Sequence, residues 1–178
     1  DTYPNLEIDQ SGTKTAAGNL TINGNLVLTG GELDFNGGQN INLKGNLTKT
    51  SGSLVNSSSS NGYLVLQGTS GTQTIDAIND QEISIKVSDD ANVTVNGNIS
   101  ANYLWLQSSN TGTFLIGGWA VSLDDKIVVD GGTLQITSGS LNTSKNSSSE
   151  HELDGGTIDI DGGTVNIGYA TNNTADLN

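Results

Sequence analysis

The chain of 178 residues contains no cysteine, no methionine and no arginine. Without sulfur ligands it can form neither disulfide bonds nor soft-metal sites, and without arginine it lacks the bidentate partner that anionic ligands prefer. Its 19 acidic residues against six lysines give a formal net charge of −13. This charge excludes nucleic-acid binding by counterion release and disfavours contact with anionic membranes. We therefore predict neither a nucleic-acid partner nor membrane insertion.

Long hydrophobic runs are also missing, so no signal peptide or membrane span is visible. The sequence does not begin with methionine, and its repeat pattern is already running near residue 6. We expect a fragment of a longer chain, with the secretion signals outside it.

One repeat pattern runs through most of the chain, with a period of about 21 residues. A chain that is only 33% hydrophobic places aliphatic residues at six successive steps of this length. Apolar residues at alternating positions share a face only in a strand, so this repeat predicts a β-helix rather than paired helices. The six residues are Ile22, Leu43, Leu64, Ile85, Leu106 and Ile127.

Glycine divides each repeat into about three short phrases, such as NGNLVL at 23–28 and GGTLQI at 131–136. Glycine suits the corners, and the L-x-L or L-x-I pair suits an inward-facing strand. We predict an all-β, single-stranded parallel β-helix, right-handed and three-sided, with about 21 residues per coil. Residues 1–178 form one solenoid domain of roughly eight coils.

Asparagine falls into columns with the same spacing. Stacked identical amides donate to one another in cross-β arrays, so we expect amide ladders at the corners. Polar segments at 57–61 and 145–150 interrupt the repeat and are predicted to be loops. The columns are Asn19, Asn40 and Asn61, and Asn25, Asn46 and Gln67.

Some β-helices act on polysaccharides, so catalytic residues have to be considered. Hydrolases of this kind need two carboxylates that face one cleft, but Asp124 and Asp125 are adjacent and would point to opposite faces of a strand. Asp159 and Asp161 share a face but have no evident acid partner. His151 lies in a serine-rich stretch and is expected in an exposed loop. We predict that the chain is not an enzyme.

Calcium is the one cofactor that the acidic residues suggest. DGGTIDIDGGT at 154–164 has aspartates among glycines, but its spacing of seven differs from the nine residues of calcium-binding solenoid repeats. We predict that no cofactor is required, and calcium remains an alternative. Five further carboxylates could gather around one loop, namely Asp76, Asp80, Glu82, Asp89 and Asp90.

Aromatic residues suggest a surface site. Tyr103 and Trp105 alternate with Leu104 and Leu106, so both rings are expected to point outward. At steps of one repeat, Tyr63, Ser84, Trp105 and Lys126 form one outward column. Tyr63, Tyr103 and Trp105 are therefore the candidate ligand-binding residues, suited to stacking on sugar rings. The alternative is that another segment covers them. Trp119, beside two glycines, is expected at a corner.

The segments AGNLTINGNLVLTGGELDFNGGQNINLKGNLTKTSGSL (17–54) and LVLQGTSGTQTID (64–76) carry a family resemblance. They resemble the glycine- and asparagine-rich repeats of very large, adhesin-like surface proteins of Bacteroidetes-type bacteria, which are type IX secretion cargo. The similarity covers about half of the chain. It implies a secreted stalk or adhesive module at the cell surface and carries over no catalytic residue.

From these patterns we expect a structural or adhesive β-solenoid segment, a stalk or spacer, of an extracellular cell-surface protein or fibre. The first alternative is a carbohydrate-binding module that uses the aromatic residues, and the second is an atypical glycan-active enzyme. Neither 1–8 nor 169–178 has the pattern of a cap. The expected partners are therefore other segments of the same long chain or other copies end to end, and glycans in the first alternative.

Overall fold

The structure, a computed structural model, describes residues 1–58, 60–68, 71–145 and 151–169. Part of the predicted loop, residues 146–150, and the C-terminal stretch 170–178 lie outside the described residues. Within the described ranges the chain forms 24 strands and no helix. It follows that no helix in those ranges is long and apolar enough to cross a membrane.

The strands form a solenoid, because each sheet takes one strand from each successive turn and the strands pair in parallel. Two sheets have eight strands each and run through all eight turns. Sheet A contains β1 (Thr2–Tyr3), β4 (Leu20–Ile22), β7 (Asn40–Leu43), β10 (Gly62–Leu66), β13 (Ile83–Val87), β16 (Leu104–Leu106), β19 (Ile127–Val129) and β22 (Glu152–Leu153). Sheet B contains β2 (Leu6–Ile8), β5 (Leu26–Leu28), β8 (Leu47–Lys49), β11 (Thr72–Ile75), β14 (Asn92–Val95), β17 (Thr113–Ile116), β20 (Thr133–Ile136) and β23 (Thr157–Ile160).

The third strand of each turn belongs to one of two smaller sheets. Sheet C contains β3 (Thr13–Thr15), β6 (Glu32–Asp34) and β9 (Ser53–Val55). Sheet D contains β12 (Ile78–Asn79), β15 (Ile99–Ala101), β18 (Ala120–Leu123), β21 (Ser140–Lys145) and β24 (Thr164–Tyr169). The predicted all-β solenoid of about eight turns is confirmed.

The alternation of apolar and polar residues determines which side of each strand is inside. In β4, Leu20 and Ile22 are buried while Thr21 between them is partly exposed, and β5 repeats the pattern. One apolar column results, in which Leu, Ile and Val stack from turn to turn and the two phenylalanines, Phe35 and Phe114, are fully buried. Burial of this column is the main stabilising contribution in such a repeat.

The six residues of the predicted aliphatic column do face inward, as predicted. The prediction that each of them pairs with the next, 21 residues further on, is wrong. Ile22 pairs with Leu43, and Leu64 pairs with Ile85, as the repeat predicts. Between these two pairs, however, Leu43 pairs with Leu66 rather than with Leu64. Inward-facing residues recur at every second position, so a slip of two residues keeps the same face inside. The column therefore tolerates turns of unequal length.

Asparagines at the corners bind backbone rather than one another. The N–H of Asn25 donates to Asn5 Oδ1 at 2.7 Å, and the N–H of Asn46 donates to Asn25 Oδ1 at 2.9 Å. Asn46 Oδ1 in turn accepts the N–H of Thr74 at 2.8 Å, so the next member is not Gln67. The predicted amide-to-amide ladder is wrong at these positions. A corner N–H has no strand partner, and a side-chain oxygen from the preceding turn satisfies it.

Close stacking at the corners requires glycine. A Cβ at Gly45 would lie 2.5 Å from the carbonyl group of Gly24, and one at Gly24 would lie 2.4 Å from the carbonyl oxygen of Pro4. Both distances are shorter than any contact a real side chain makes, so a larger residue would force successive turns apart. This explains the glycines at positions 24 and 45.

Asp34 fixes the base of the serine-rich loop that begins at residue 57. Its side chain is buried and accepts hydrogen bonds from the N–H and hydroxyl of Ser57 and from the N–H of Asn36. Burial raises the pKa of this carboxyl, but these hydrogen bonds outweigh burial and hold the pKa below its usual value. The loop predicted from composition thus has a structured, charged base.

Substitutions on opposite faces of β18 test the assignment of faces. Val121 is fully buried, whereas Ser122 is exposed. Val121→Asp places an unpaired charge in the apolar column and is expected to lower the free energy of unfolding by about 3–5 kcal/mol, against about 0.5 kcal/mol or less for Ser122→Asp. Urea denaturation followed by circular dichroism measures both. Equal losses for the two variants would contradict the assignment.

Candidate functional site

The three predicted site residues lie together on the outer face of sheet A, and we call them the aromatic cluster (Tyr63, Tyr103 and Trp105). Tyr63 is in β10, Trp105 is in β16, and Tyr103 immediately precedes β16. Strand β13 runs between β10 and β16. Rings from turns that are not adjacent therefore reach towards each other across an intervening strand.

The two tyrosines contact each other directly. The Tyr103 hydroxyl donates to the Tyr63 hydroxyl at 2.9 Å, and the ring centroids are 6.0 Å apart with an interplanar angle of 82°. This edge-to-face arrangement is the favourable one for aromatic pairs. Burial raises the pKa of Tyr103 well above its usual value, and the hydrogen bond to Tyr63 and the charge of Asp125 raise it further. Tyr103 therefore stays protonated and acts as a donor rather than a base.

Ser84 lies on β13 beneath this pair, and its predicted exposure is wrong. It pairs with Tyr63 and occupies an outward position, yet its accessible surface is 0%. The strand alternation is as predicted, but large rings on both neighbouring strands cover the small side chain. Its hydroxyl has no hydrogen-bond partner within the described ranges. Ser84 is thus part of a second, outer packing layer.

Trp105 also has partners within the protein. Its Nε1–H donates to Asp130 Oδ2 at 2.9 Å. The ammonium of Lys86 lies 4.3 Å from the centroid of the Trp105 ring and 5.9 Å from that of Tyr63. A cation over an indole face is an attractive contact, and it occupies the surface on which a sugar would stack. The aromatic cluster is therefore largely satisfied internally.

A small depression of about 180 Å³ remains beside the cluster. Lys126 forms an ion pair with Glu152 at its edge, the one salt bridge found between described residues. Its remaining walls are Tyr103, Trp105, Val128 and Asp130. The space is small and flanked by charges of both signs. It is the part of the predicted site that is still open to a ligand.

The acidic residues do not gather where the sequence suggested. Asp76 binds the N–H of Lys49 and the amide of Asn96, and Asp80 binds the N–H groups of Asn56 and Glu82. Each carboxylate therefore fixes its own corner. Asp89 and Asp90 act in the same way, since Asp89 accepts from Gln67 and Asp90 from Thr111. Glu82, the fifth of these residues, contributes its backbone N–H to Asp80.

One group of three carboxylates within 4.8 Å of one another does occur in the described ranges: Asp130, Glu152 and Asp154. Carboxylate oxygens are the ligands that calcium prefers. Asp130 already accepts the Trp105 indole, however, and Glu152 is paired with Lys126. The calcium alternative stays a prediction.

His151 is not in an exposed loop, and that expectation is wrong. It is 2% exposed, its Nδ1 accepts the N–H of Ile127 at 3.1 Å, and its Nε2 lies 3.4 Å from Thr143 Oγ1. Because Nδ1 is an acceptor, the neutral ring carries its proton on Nε2. The imidazole satisfies a backbone donor at the edge of sheet A, which is a structural role.

The paired aspartates considered for hydrolysis are also engaged. Asp159 and Asp161 both accept from Gln135 Nε2, at 3.1 Å and 3.3 Å. Asp124 accepts from the amide of Gln81 at 2.8 Å. The three side chains are exposed or half-buried and are hydrogen-bonded to amide groups, so none of them lies in a closed, apolar cleft. The absence of enzyme activity stays a prediction.

A second depression was not identified from the sequence as a site. Trp119 is 42% exposed at the corner between β17 and β18, as its neighbouring glycines predicted. It borders an open space of about 530 Å³. The signal in the sequence is the pair Asn96 and Asn98, one turn before Trp119. The hydrogen bonding of corner N–H groups by asparagine explains the same residues without a site. The lining residues are Lys49, Asp76, Ala77, Asn79, Asn96, Gly97, Asn98 and Trp119.

Two substitutions at Ser84 test the outer packing layer. Ser84→Ala removes a buried hydroxyl that has no partner among the described residues, so the free energy of unfolding is expected to stay the same or rise by up to about 1 kcal/mol. Ser84→Asp buries a carboxylate beneath the tyrosines and is expected to cost about 3 kcal/mol or more. Chemical denaturation measures both. A harmless Ser84→Asp would show that the tyrosines do not cover this position.

No family model matches this chain, and comparison with curated proteins and with solved structures finds none that is detectably similar. No functional residue can therefore be transferred from a relative. The function has to be argued from the contacts, burial and charge of this chain itself.

Proposed function

We propose that this chain is a structural or adhesive segment, a stalk or spacer, of an extracellular cell-surface protein or fibre. The observation that carries the proposal is the unbroken parallel pairing of sheets A and B through all eight turns. A repeat whose neighbours are hydrogen-bonded and packed along one axis resists bending and gains length with every turn. Reach and stiffness are what a spacer supplies.

The surface chemistry is consistent with a spacer. The net charge of −13 keeps such a rod soluble and opposes side-by-side association. Carboxylates such as those of Asp76 and Asp90 accept hydrogen bonds from amide and hydroxyl groups at the corners. The one described histidine accepts a backbone N–H. The side chains that could take part in catalysis thus stabilise the solenoid instead, which favours a non-enzymatic role. Secretion to the cell surface rests on the resemblance to adhesin-like repeats of Bacteroidetes-type bacteria.

The finer geometry is part of the same proposal. Three strands per turn fit a three-sided tube, and parallel strands joined by crossovers favour right-handed winding. We propose that the coil is right-handed and three-sided and that residues 1–178 form one domain of a longer chain.

The first turn supports end-to-end partners. Strands β1, β2 and β3 are each the outermost strand of their sheet, so among the described residues they are paired on one side only. Beside them lies a cavity of about 320 Å³, whose lining includes Tyr3, Leu6, Ile8 and Leu20. An open strand edge next to apolar residues is suited to a further turn. We propose that other segments of the same long chain, or other copies, stack there.

The carbohydrate-binding alternative at the aromatic cluster has one observation in its favour, the depression of about 180 Å³ beside Tyr103 and Trp105. The contact of Lys86 with the Trp105 ring weighs against it. For the glycan-active enzyme no comparable observation exists among the described residues. The spacer is therefore the function that the geometry supports best.

A distance measurement between the first and last turns tests the spacer. The variant Glu7→Cys/Asp159→Cys carries spin labels on β2 and β23, seven strand steps apart in sheet B. At about 4.8 Å per step, the backbone separation is about 34 Å. A stiff rod gives one narrow distance distribution near this value, widened only by the label linkers. Singly labelled proteins control for contacts between molecules. A broad or bimodal distribution would contradict the spacer.

A further inference from the structure

The strongest unassigned feature is the depression at Trp119, which we call the Trp119 groove. It is formed at one corner by four successive turns, which contribute Lys49, residues 76–79, residues 96–98 and Trp119. Trp119 is one of two exposed large hydrophobic residues among those described. Unlike Trp105, it has no cation over its ring and no partner for its indole N–H in the described ranges. Its ring is therefore available for contact.

The backbone at Trp119 is held on both sides. Its carbonyl oxygen accepts the N–H of Ser140 at 3.0 Å, and the next N–H, that of Ala120, donates to Asn98 Oδ1 at 3.0 Å. Gly139 of the following turn packs so closely that a Cβ there would lie 2.1 Å from the Trp119 carbonyl oxygen. The ring is thus attached to a rigid corner, which lowers the conformational entropy that the protein loses when a ligand binds.

The floor of the groove consists of fixed and free polar groups. Asn96 Nδ2 donates to Asp76 Oδ1 at 2.7 Å, and Asp76 Oδ2 accepts the N–H of Lys49, also at 2.7 Å. The Asn79 amide and the Lys49 ammonium form no hydrogen bond with the described residues. Neither does the Nδ2 group of Asn98, whose oxygen is already used. Donors and acceptors thus surround an aromatic face.

We propose that the Trp119 groove binds an uncharged saccharide. An indole face packs against the C–H face of a pyranose ring, while amide groups exchange hydrogen bonds with its hydroxyls. The net charge of −13 and the lack of arginine disfavour acidic glycans. This site is distinct from the aromatic cluster. It goes beyond the spacer role and does not depend on it.

Fluorescence of a single-tryptophan variant tests the groove. The chain has two tryptophans, so Trp105→Phe leaves Trp119 as the only one. Cellotetraose, mannotetraose, xylotetraose and chitotetraose are titrated as uncharged probes, with polygalacturonate as the anionic probe. At least one uncharged probe is expected to give a saturable change in Trp119 emission. The absence of such a change with all four up to about 10 mM would overturn the proposal.

Calorimetry of further variants identifies the residue responsible. Trp119→Ala in the otherwise natural chain is expected to weaken binding of the active probe at least about tenfold, and Trp119→Phe less, because an aromatic face is retained. Asn79→Ala is expected to weaken it as well. Thermal unfolding of Trp119→Ala should shift by no more than a few degrees, since the side chain is partly exposed and forms no hydrogen bond with the described residues. Binding that survives Trp119→Ala at full affinity, or prefers polygalacturonate, would overturn the proposal, while the inter-turn distances of the spacer would be unaffected.

Discussion

The structure depends on one interaction, the stacking of each turn on the next through parallel backbone hydrogen bonds. These bonds place successive turns at strand spacing, about 4.8 Å. At this spacing inward residues from neighbouring turns are in direct contact, so aliphatic side chains form a continuous column. The spacing also limits the corners. Gly24 and Gly45 lie back to back where no Cβ would fit, and asparagine oxygens satisfy N–H groups that no strand pairs.

The same stacking organises the surface. Outward side chains on adjacent turns are close enough to interact, and long ones reach a second neighbour, as Tyr103 does with Tyr63 and Gln81 with Asp124. Outward positions are therefore not equivalent to exposed positions. Where rings are available they build an outer layer that buries Ser84. Where they are not, a corner such as that of Trp119 stays open. Candidate binding surfaces on this rod lie at the corners rather than at the densest group of aromatics.

Much of the fold could be predicted from the sequence, because strand alternation is a local property that recurs in every turn. The fold class and the inward residues follow from it, and the corner position of Trp119 follows from the two glycines that precede it. Register is not local, since L-x-L phrases fit equally well after a slip of two residues. The pairing of Leu43 with Leu66 rather than Leu64 could therefore not be derived from a period. Burial of Ser84 and His151 depends on side chains from other turns, which sequence spacing alone does not bring together.

The candidate site was predictable in part for the same reason. Alternation placed Tyr63, Tyr103 and Trp105 on one outer face, but it could not indicate that Lys86 and Asp130 would engage the Trp105 ring. The Trp119 groove needs four turns to form, and its residues lie far apart in the sequence. The asparagines at positions 79, 96 and 98 were the only indication of the groove in the sequence. Hydrogen bonding of corner N–H groups explains asparagine there equally well.

Cross-linking across one inter-turn pair tests the stacking most directly, because the natural chain has no cysteine to interfere. Ser100 and Ser122 are outward-facing partners on the neighbouring strands β15 and β18. Paired positions on neighbouring strands fall within the Cα separation of about 4.4–6.8 Å that a disulfide accepts. The variant Ser100→Cys/Ser122→Cys should oxidise to an intramolecular disulfide while retaining its circular dichroism, whereas Thr48→Cys/Ser122→Cys, with its residues in different sheets, should not. Failure of the first pair to oxidise, or equal oxidation of both, would contradict the stacked arrangement.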